Sequence, residues 1–225
     1  MLISVQAQLL SAADLAFWNR TANCTPKLLT NARLDRRTLV RLWGQRSTLH
    51  LYQAEDWPLH YAVFEQRQII ARTRMEKAGV LGEFRRVVRR TAKQLETGRT
   101  LTYNDIQSKR LREGMKIRQM TESQARRSTA YIVFMQLVRE GVACHGAESG
   151  GESVFVHRKC WLPDLEWAPP NPRDALVELA CRYLSAYGPA GCGTGFQPVD
   201  DTGSKPVPQS MDQLRRRSVL PCDGG

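Results

Sequence analysis

No two of the six cysteines form a CxxC pair: Cys24, Cys144, Cys160, Cys181, Cys192 and Cys222 are scattered through 225 residues. In a chain this long, that scatter argues against a disulfide framework and for reduced thiols in a cytoplasm. The four histidines (His50, His60, His145, His157) include no HxxxH spacing. No apolar run reaches the length of a membrane-crossing helix. The start has no charged segment leading into an apolar one, so no secretory leader is expected. Acidic residues are in short supply, with 22 Asp and Glu against 33 Lys and Arg, a net charge of +11. That excess favours polyanionic partners, nucleic acid ahead of an anionic membrane; the plainer alternative is a surface merely covered by arginine. An apolar content of 42% with 8% aromatics is ordinary for a globular chain and allows a sizeable core. The expectation is a soluble, cytoplasmic, nucleoid-associated monomer that binds nucleic acid and uses no membrane.

Along the chain, residues 9–22 carry an apolar stripe from Leu10 to Trp18, which reads as a helix that Pro26 keeps from continuing. A short helix and a basic turn are expected next. The β-prone run Thr48-Leu49-His50-Leu51-Tyr52 reads as a strand, and a helix starts at Ala54-Glu55-Asp56-Trp57 and runs through Phe64 towards Ile70. In "EFRRVVRRTAKQL", Phe84, Val87, Val88 and Leu95 can face inward while Arg85, Arg86, Arg89 and Arg90 face out. Gly98 ends that helix, and Thr102 is placed to cap the next. Thr121 and Gln124 form a capping-box pattern before a helix running to Gly141. "VACHGAESGGESVFVH" then reads as a hairpin around Glu148-Ser149-Gly150-Gly151.

Helix, helix, longer helix and hairpin is the order of a winged helix-turn-helix, whose third helix can enter the major groove. That helix carries Arg126 and Arg127 near its N-terminal half, where base or phosphate contacts are usually made. Winged helices also serve as protein-contact modules, so the arginines do not decide the function alone. Past the Pro169-Pro170 linker, Asn171 as N-cap and Pro172 at the first helical position start a further helix, ended by Gly188-Pro189. Thr194-Gly195-x-x-Pro198-Val199 then recurs as Thr202-Gly203-x-x-Pro206-Val207, a Gly- and Pro-rich repeat expected to be disordered. The expected fold is therefore mainly α with a small β component (α+β). It is divided into a first winged-helix-like unit at 1–80, a second with its wing hairpin at 81–165, the start of a third at 166–190, and a disordered tail at 191–225.

VQAQ before a helix containing "LAFWNR", "RSTLHL" with "AEDW", a winged helix ending in "WLP", and "RYLSAYGPA" appear in that order. Together they resemble the AlkZ/YcaQ-type winged-helix DNA glycosylases over about residues 3–190. The resemblance implies tandem winged-helix units with a Gln-x-Gln or Gln-x-Asp motif in their cleft, excising alkylated bases or, in some members, unhooking interstrand crosslinks. By this resemblance Gln6 and Gln8 hold the catalytic positions, and Arg46, Thr48 and His50 of the RSTLH landmark join Arg126 and Arg127 as candidate contacts to double-stranded DNA. It implies no cofactor and no metal. Relatives place at least one helix before the glutamines and a glycine where this chain has Ser47. The likeness stops at Tyr187-Gly188-Pro189-Ala190, so a fragment truncated at both ends is expected.

The chemistry suits amides. Hydrolysis of an N-glycosidic bond builds positive charge on the sugar, and a base alkylated on a ring nitrogen leaves without an acid's help. What remains is to position a water and favour the developing charge, which glutamine carbonyl oxygens do more weakly than carboxylates. Without the landmarks, two glutamines would be read as backbone partners near a helix start. Cys144-His145 and His157-x-x-Cys160 lack the spacing expected of a zinc site. His50 could face DNA or be a hydrogen-bonded, partly buried histidine. The arginines at 85–90 read as a solvated face, with phosphate contact as the sharper option. Trp43, Trp57 and Trp161 read as core. The alternative function is a non-catalytic, regulator-like DNA-binding protein or an inactive glycosylase fragment.

Overall fold

The computed structural model describes residues 4–44, 47–64, 75–115, 120–148 and 152–187. The expectations for Arg46, the hairpin tip at 149–151 and the repeat segment 191–225 lie outside the described residues. The architecture is α+β, as expected, built on one antiparallel five-stranded sheet. Its strands are β1 (Val5–Gln6), β2 (Leu39–Trp43), β3 (Leu49–Gln53), β4 (Ala143–His145) and β5 (Phe155–His157), in the spatial order β1-β3-β2-β4-β5.

The short helix and basic turn form at Pro26–Leu34 and residues 35–37, but a strand not expected from the sequence follows before residue 48. β2, "LVRLW", pairs along its length with β3, from Leu39↔Gln53 to Trp43↔Leu49. Its buried Val40, Leu42 and Trp43 supply the reason. Only one arginine interrupts a β-prone apolar run, and pairing on both sides overrides its charge. The hairpin forms as read, Ala143↔His157 to His145↔Phe155. It does not stand apart: β4 meets β2 at Arg41↔His145, so the hairpin completes the same sheet.

The helices are α1 (Leu10–Trp18), α2 (Pro26–Leu34), α3 (Trp57–Phe64), α4 (Leu81–Glu96), α5 (Lys109–Met115), α6 (Glu122–Arg139), α7 (Arg158–Trp161) and α8 (Pro172–Tyr187). The first is shorter than expected, ending at Trp18 rather than near residue 22. Residues 54–56 make a 3-10 turn ahead of α3, and Thr102 caps a single 3-10 turn, Tyr103–Asp105, through a capping box with Asp105. The Thr121–Gln124 capping box starts α6, and Gly141 just past its end takes φ +68°, a conformation cheap only for glycine. Asn171 Oδ1 accepts from Arg173 N at 2.9 Å at the start of α8.

α6 is central, burying Ala125, Ala130, Val133, Phe134, Leu137 and Val138 against α4, α5 and the sheet. Phe134 and Phe155, both fully buried, stack at 3.8 Å between centroids, and Trp43 lies 5.8 Å from Phe155. Trp43 and Trp57 are core, as read from the sequence, while Trp161 is half-buried under the Arg37 guanidinium, 4.2 Å from its ring. The segment that follows docks on α3. Trp167 meets Trp57 edge-on at 5.5 Å, and Arg182 on α8 pairs with buried Asp56 at 2.7 Å.

A second, smaller cluster (Val5, Ala7, Ala13 and Leu51, with Leu10, Ala16 and Phe17 against it) seats α1 on the β1 edge. No helix among the described residues is long and apolar enough to cross a membrane.

Candidate functional site

The spacing of Gln6 and Gln8 is resolved by where β1 ends. Gln6 is the last residue of the strand and pairs with His50 on β3, while Gln8 lies beyond it, in the bend before α1. Val5 and Ala7 point into the small cluster under α1, so alternation turns Gln6 to the opposite, exposed side. Residues directly opposite across antiparallel strands have side chains about 5 Å apart. Gln6 and His50 are therefore neighbours on one face.

Both glutamines line one groove of about 530 Å³ with Ser4, Val5, Leu9, Ala12, Ala16 and Arg20. Its lining is evenly mixed, with Val5, Leu9, Ala12 and Ala16 beside the Ser4 hydroxyl, two amides and the Arg20 guanidinium, which donates to Ala16 O at 2.9 Å. Leu9 stands 69% exposed at the rim.

The two amides differ in their partners. Gln8 Oε1 accepts a hydrogen bond from Leu49 N at 2.9 Å. A backbone N–H can only donate, so this bond fixes which end of the amide is the oxygen. Ala7 N donates to Leu49 O at 2.7 Å, and the Gln8 side chain accepts the return bond from Leu49 N that the opposite residue, Ala7, would otherwise accept with its carbonyl. The Gln6 amide has no partner among the described residues. The backbone-anchoring role that two isolated glutamines would suggest thus applies to Gln8 and not to Gln6.

Arg41 completes the arrangement. From β2 it reaches past β3, its Nε donating to Ala7 O at 3.0 Å and its Nη2 to Gln8 O at 3.1 Å. Nη1 pairs with Glu148 Oε1 of the hairpin at 3.0 Å. Burial lowers the guanidinium's pKa, and the Glu148 carboxylate works against that shift. Neither Arg41 nor Arg20 is among the site residues expected from the sequence. A lone arginine inside "LVRLW" was the available signal for the first, and the end of the "LAFWNR" landmark for the second.

His50 is half-buried, its Nδ1 3.0 Å from Thr48 O, and burial holds its pKa below the ordinary histidine value. Thr48 O also accepts from Gly44 N at 2.9 Å, which closes the β2–β3 turn. Gln6, Gln8, Thr48 and His50 thus gather at one end of β1 and β3. Arg126 and Arg127 are exposed on the first half of α6 and do not line the glutamine groove.

Ser47 takes φ +55°, the left-handed region where glycine is at ease. Here the serine is tied in place: its Oγ accepts from Arg139 Nη2 at 3.1 Å and its carbonyl from the Tyr131 hydroxyl at 3.3 Å. Cys144, His145 and His157 are buried in the sheet, and among the described residues no group of three or more His, Cys, Asp or Glu is placed to hold a metal.

Residues 1–193 match the family described as DNA glycosylase AlkZ-like. Among solved structures, the Streptomyces sahachiroi DNA glycosylase AlkZ superposes with a TM-score of 0.65 at 24% identity, over 83% of this chain and 50% of that one. The chain therefore spans about half the length of that structure, and the likeness is one of fold. No curated protein matches the chain significantly.

Proposed function

Because this chain belongs to the AlkZ-like DNA glycosylase family, we propose that it binds double-stranded DNA and hydrolyses the N-glycosidic bond of a base alkylated on a ring nitrogen. The observation that carries this reading is the convergence of Gln6 and Gln8 on one groove beside a cation, Arg20. Such a groove sets a few oriented dipoles and a cation beside apolar side chains.

In this reading the amides have separate tasks. Gln6, unpaired, turns its carbonyl oxygen towards the attacking water and the positive charge that grows on the sugar. Gln8, whose oxygen is held by Leu49 N, offers its amide NH2 as a donor to the sugar or its flanking phosphate. Arg20 meets a phosphate at the mouth of the groove. No general acid is needed, because a base alkylated on a ring nitrogen is already a cationic leaving group. The surrounding architecture is then a pair of winged-helix units at 1–80 and 81–165 followed by the start of a third at 166–190. Arg126 and Arg127 on α6 and the Thr48–His50 end of β3 face the duplex, and the protein works in the cytoplasm on chromosomal DNA.

The test is release of 7-methylguanine from duplex DNA, comparing the chain with its Gln6→Ala/Gln8→Ala double variant. Release that disappears in the variant supports the glycosylase. If both proteins fold and bind DNA but release nothing, the second reading holds: a non-catalytic DNA-binding protein with an inherited motif. The capture of the Gln8 oxygen by the backbone is the observation that favours it.

A further inference from the structure

α4 presents its apolar residues Phe84, Val87, Val88 and Leu95 to the core and a different chemistry to the outside. Arg86, Arg89, Arg90, Lys93 and, past the helix end, Arg99 line a single groove of about 570 Å³ together with Gln94 and Thr97. Two of the cations are engaged: Arg86 pairs with Glu83 at 2.8 Å, and Arg90 donates to Gln107 O at 3.1 Å. Arg89, Lys93 and Arg99 are exposed and have no acceptor or carboxylate partner among the described residues.

A merely solvated helix face would intersperse acids at the i+3 and i+4 positions. Here Arg86, Arg89, Arg90 and Lys93 meet one another at those spacings, and each such like-charge pair costs about 0.2–0.5 kcal/mol in an isolated helix. A bound polyanion reverses the sign of that cost.

The position of the groove matters as much as its charge. α4 packs on β5, the edge of the sheet opposite β1. Four strand spacings separate the two edges, about 19 Å at the usual interval between neighbouring strands. The basic groove is thus distinct from the groove of the glutamines. From Arg86 to Thr97 the helix advances about 16 Å, the axial length of about five phosphates on one strand. The lining holds five cations with Gln94 and Thr97 and no carboxylate, which suits a phosphate backbone.

We propose that this groove on α4 is a second, sequence-independent DNA site that holds the phosphodiester backbone away from the reacting nucleotide. It rests on the reading of the chain as a DNA-binding protein but not on the glutamines being catalytic.

The test is binding of the full chain to an undamaged, fluorescently labelled DNA duplex, followed by anisotropy across a series of salt concentrations. The Arg89→Gln/Lys93→Gln/Arg99→Gln variant is compared with a charge-matched control, Arg36→Gln/Lys159→Gln/Arg173→Gln. Each phosphate contact contributes about 0.9 to the slope of log affinity against log salt. The groove variant is expected to lose about 2 to 3 from that slope and to bind at least about tenfold more weakly near 0.1 M salt, with the control close to the parent. An unchanged slope in the groove variant overturns the site. Equal losses in both variants overturn it too, because overall charge would then be the cause. A single-stranded RNA with the same number of phosphates, bound more tightly than the duplex through these residues, would overturn DNA as the ligand. Undamaged DNA needs no catalysis, so failure of this site and failure of the glycosylase reading give different results: the first shows in the salt slope, the second in base release.

Discussion

Arg41 holds Gln8 by its backbone: the guanidinium donates to the Gln8 carbonyl at 3.1 Å and to the neighbouring Ala7 carbonyl at 3.0 Å, while its third nitrogen pairs with Glu148. One side chain thereby joins the glutamine segment, the centre of the sheet and the hairpin. If the glutamines act on the sugar, their placement depends on this fork. Arg41→Lys keeps the charge but cannot bridge two carbonyls and a carboxylate at once. It is expected to lower the rate of base release about 10- to 100-fold, the scale of a misplaced reacting group. Single-turnover kinetics at saturating DNA check this, with the binding constant for undamaged duplex unchanged. An unaltered rate would remove Arg41 from the positioning of the motif.

The two glutamines should be separable by stability. Gln8→Ala removes the acceptor of Leu49 N and is expected to cost about 1 kcal/mol, whereas Gln8→Glu keeps an acceptor there and should cost less. Gln6→Ala, on an exposed and unpaired side chain, should leave the urea midpoint within experimental error. Equal midpoints for Gln6→Ala and Gln8→Ala would contradict the asymmetry.

Two buried histidines set the acid side of the stability profile. Burial pushes His60 and His145 each down to about 3, far below the ordinary value near 6.5. The unfolded chain takes up these protons below that value while the native state does not. Stability is therefore fully present above about pH 6.5 and is lost as pH falls towards about 3, by about 1.4 kcal/mol per pH unit for each histidine. Denaturant midpoints measured from pH 8 to pH 5 check the slope, and His145→Asn should flatten it. Base release, in contrast, should stay level from pH 6.5 to 8 at fixed folded fraction, because neither glutamine titrates and His50 is already biased towards its neutral form.

Ser47 gives a test free of catalysis. Ser47→Ala and Ser47→Gly both remove the oxygen that Arg139 binds, but only alanine keeps a Cβ at φ +55°. The glycine variant is therefore expected to be more stable than the alanine variant by about 1 kcal/mol, the cost of a left-handed conformation for an L-residue. Thermal unfolding of the pair decides it. Gly44, three residues earlier, is the opposite case: a Cβ there would fall 1.8 Å from the Tyr52 hydroxyl.

Much of this was written locally in the chain. The apolar faces of α4 and α6, the Thr121–Gln124 cap, the Gly141 stop and the hairpin runs each depend on residues a few positions apart, where propensity and periodicity act. The order of landmarks from VQAQ to the AEDW helix likewise placed the glutamines at the start of a recognisable segment. What tertiary structure decided needed partners far away in sequence. β2 carries a β-prone run, but β3 and β4 pairing on both sides is what places its arginine at the centre of the sheet. Gln6 and Gln8 look equivalent in VQAQ, yet Leu49, 41 residues beyond Gln8, takes the oxygen of one and leaves the other free. Arg41 became part of the site only because the sheet brings Ala7, Gln8 and Glu148 within reach of its fork. The sequence determined which elements could form and where the chemistry-bearing residues stood; long-range pairing decided which of them meet, because a hydrogen bond depends on distance in space and not on distance along the chain.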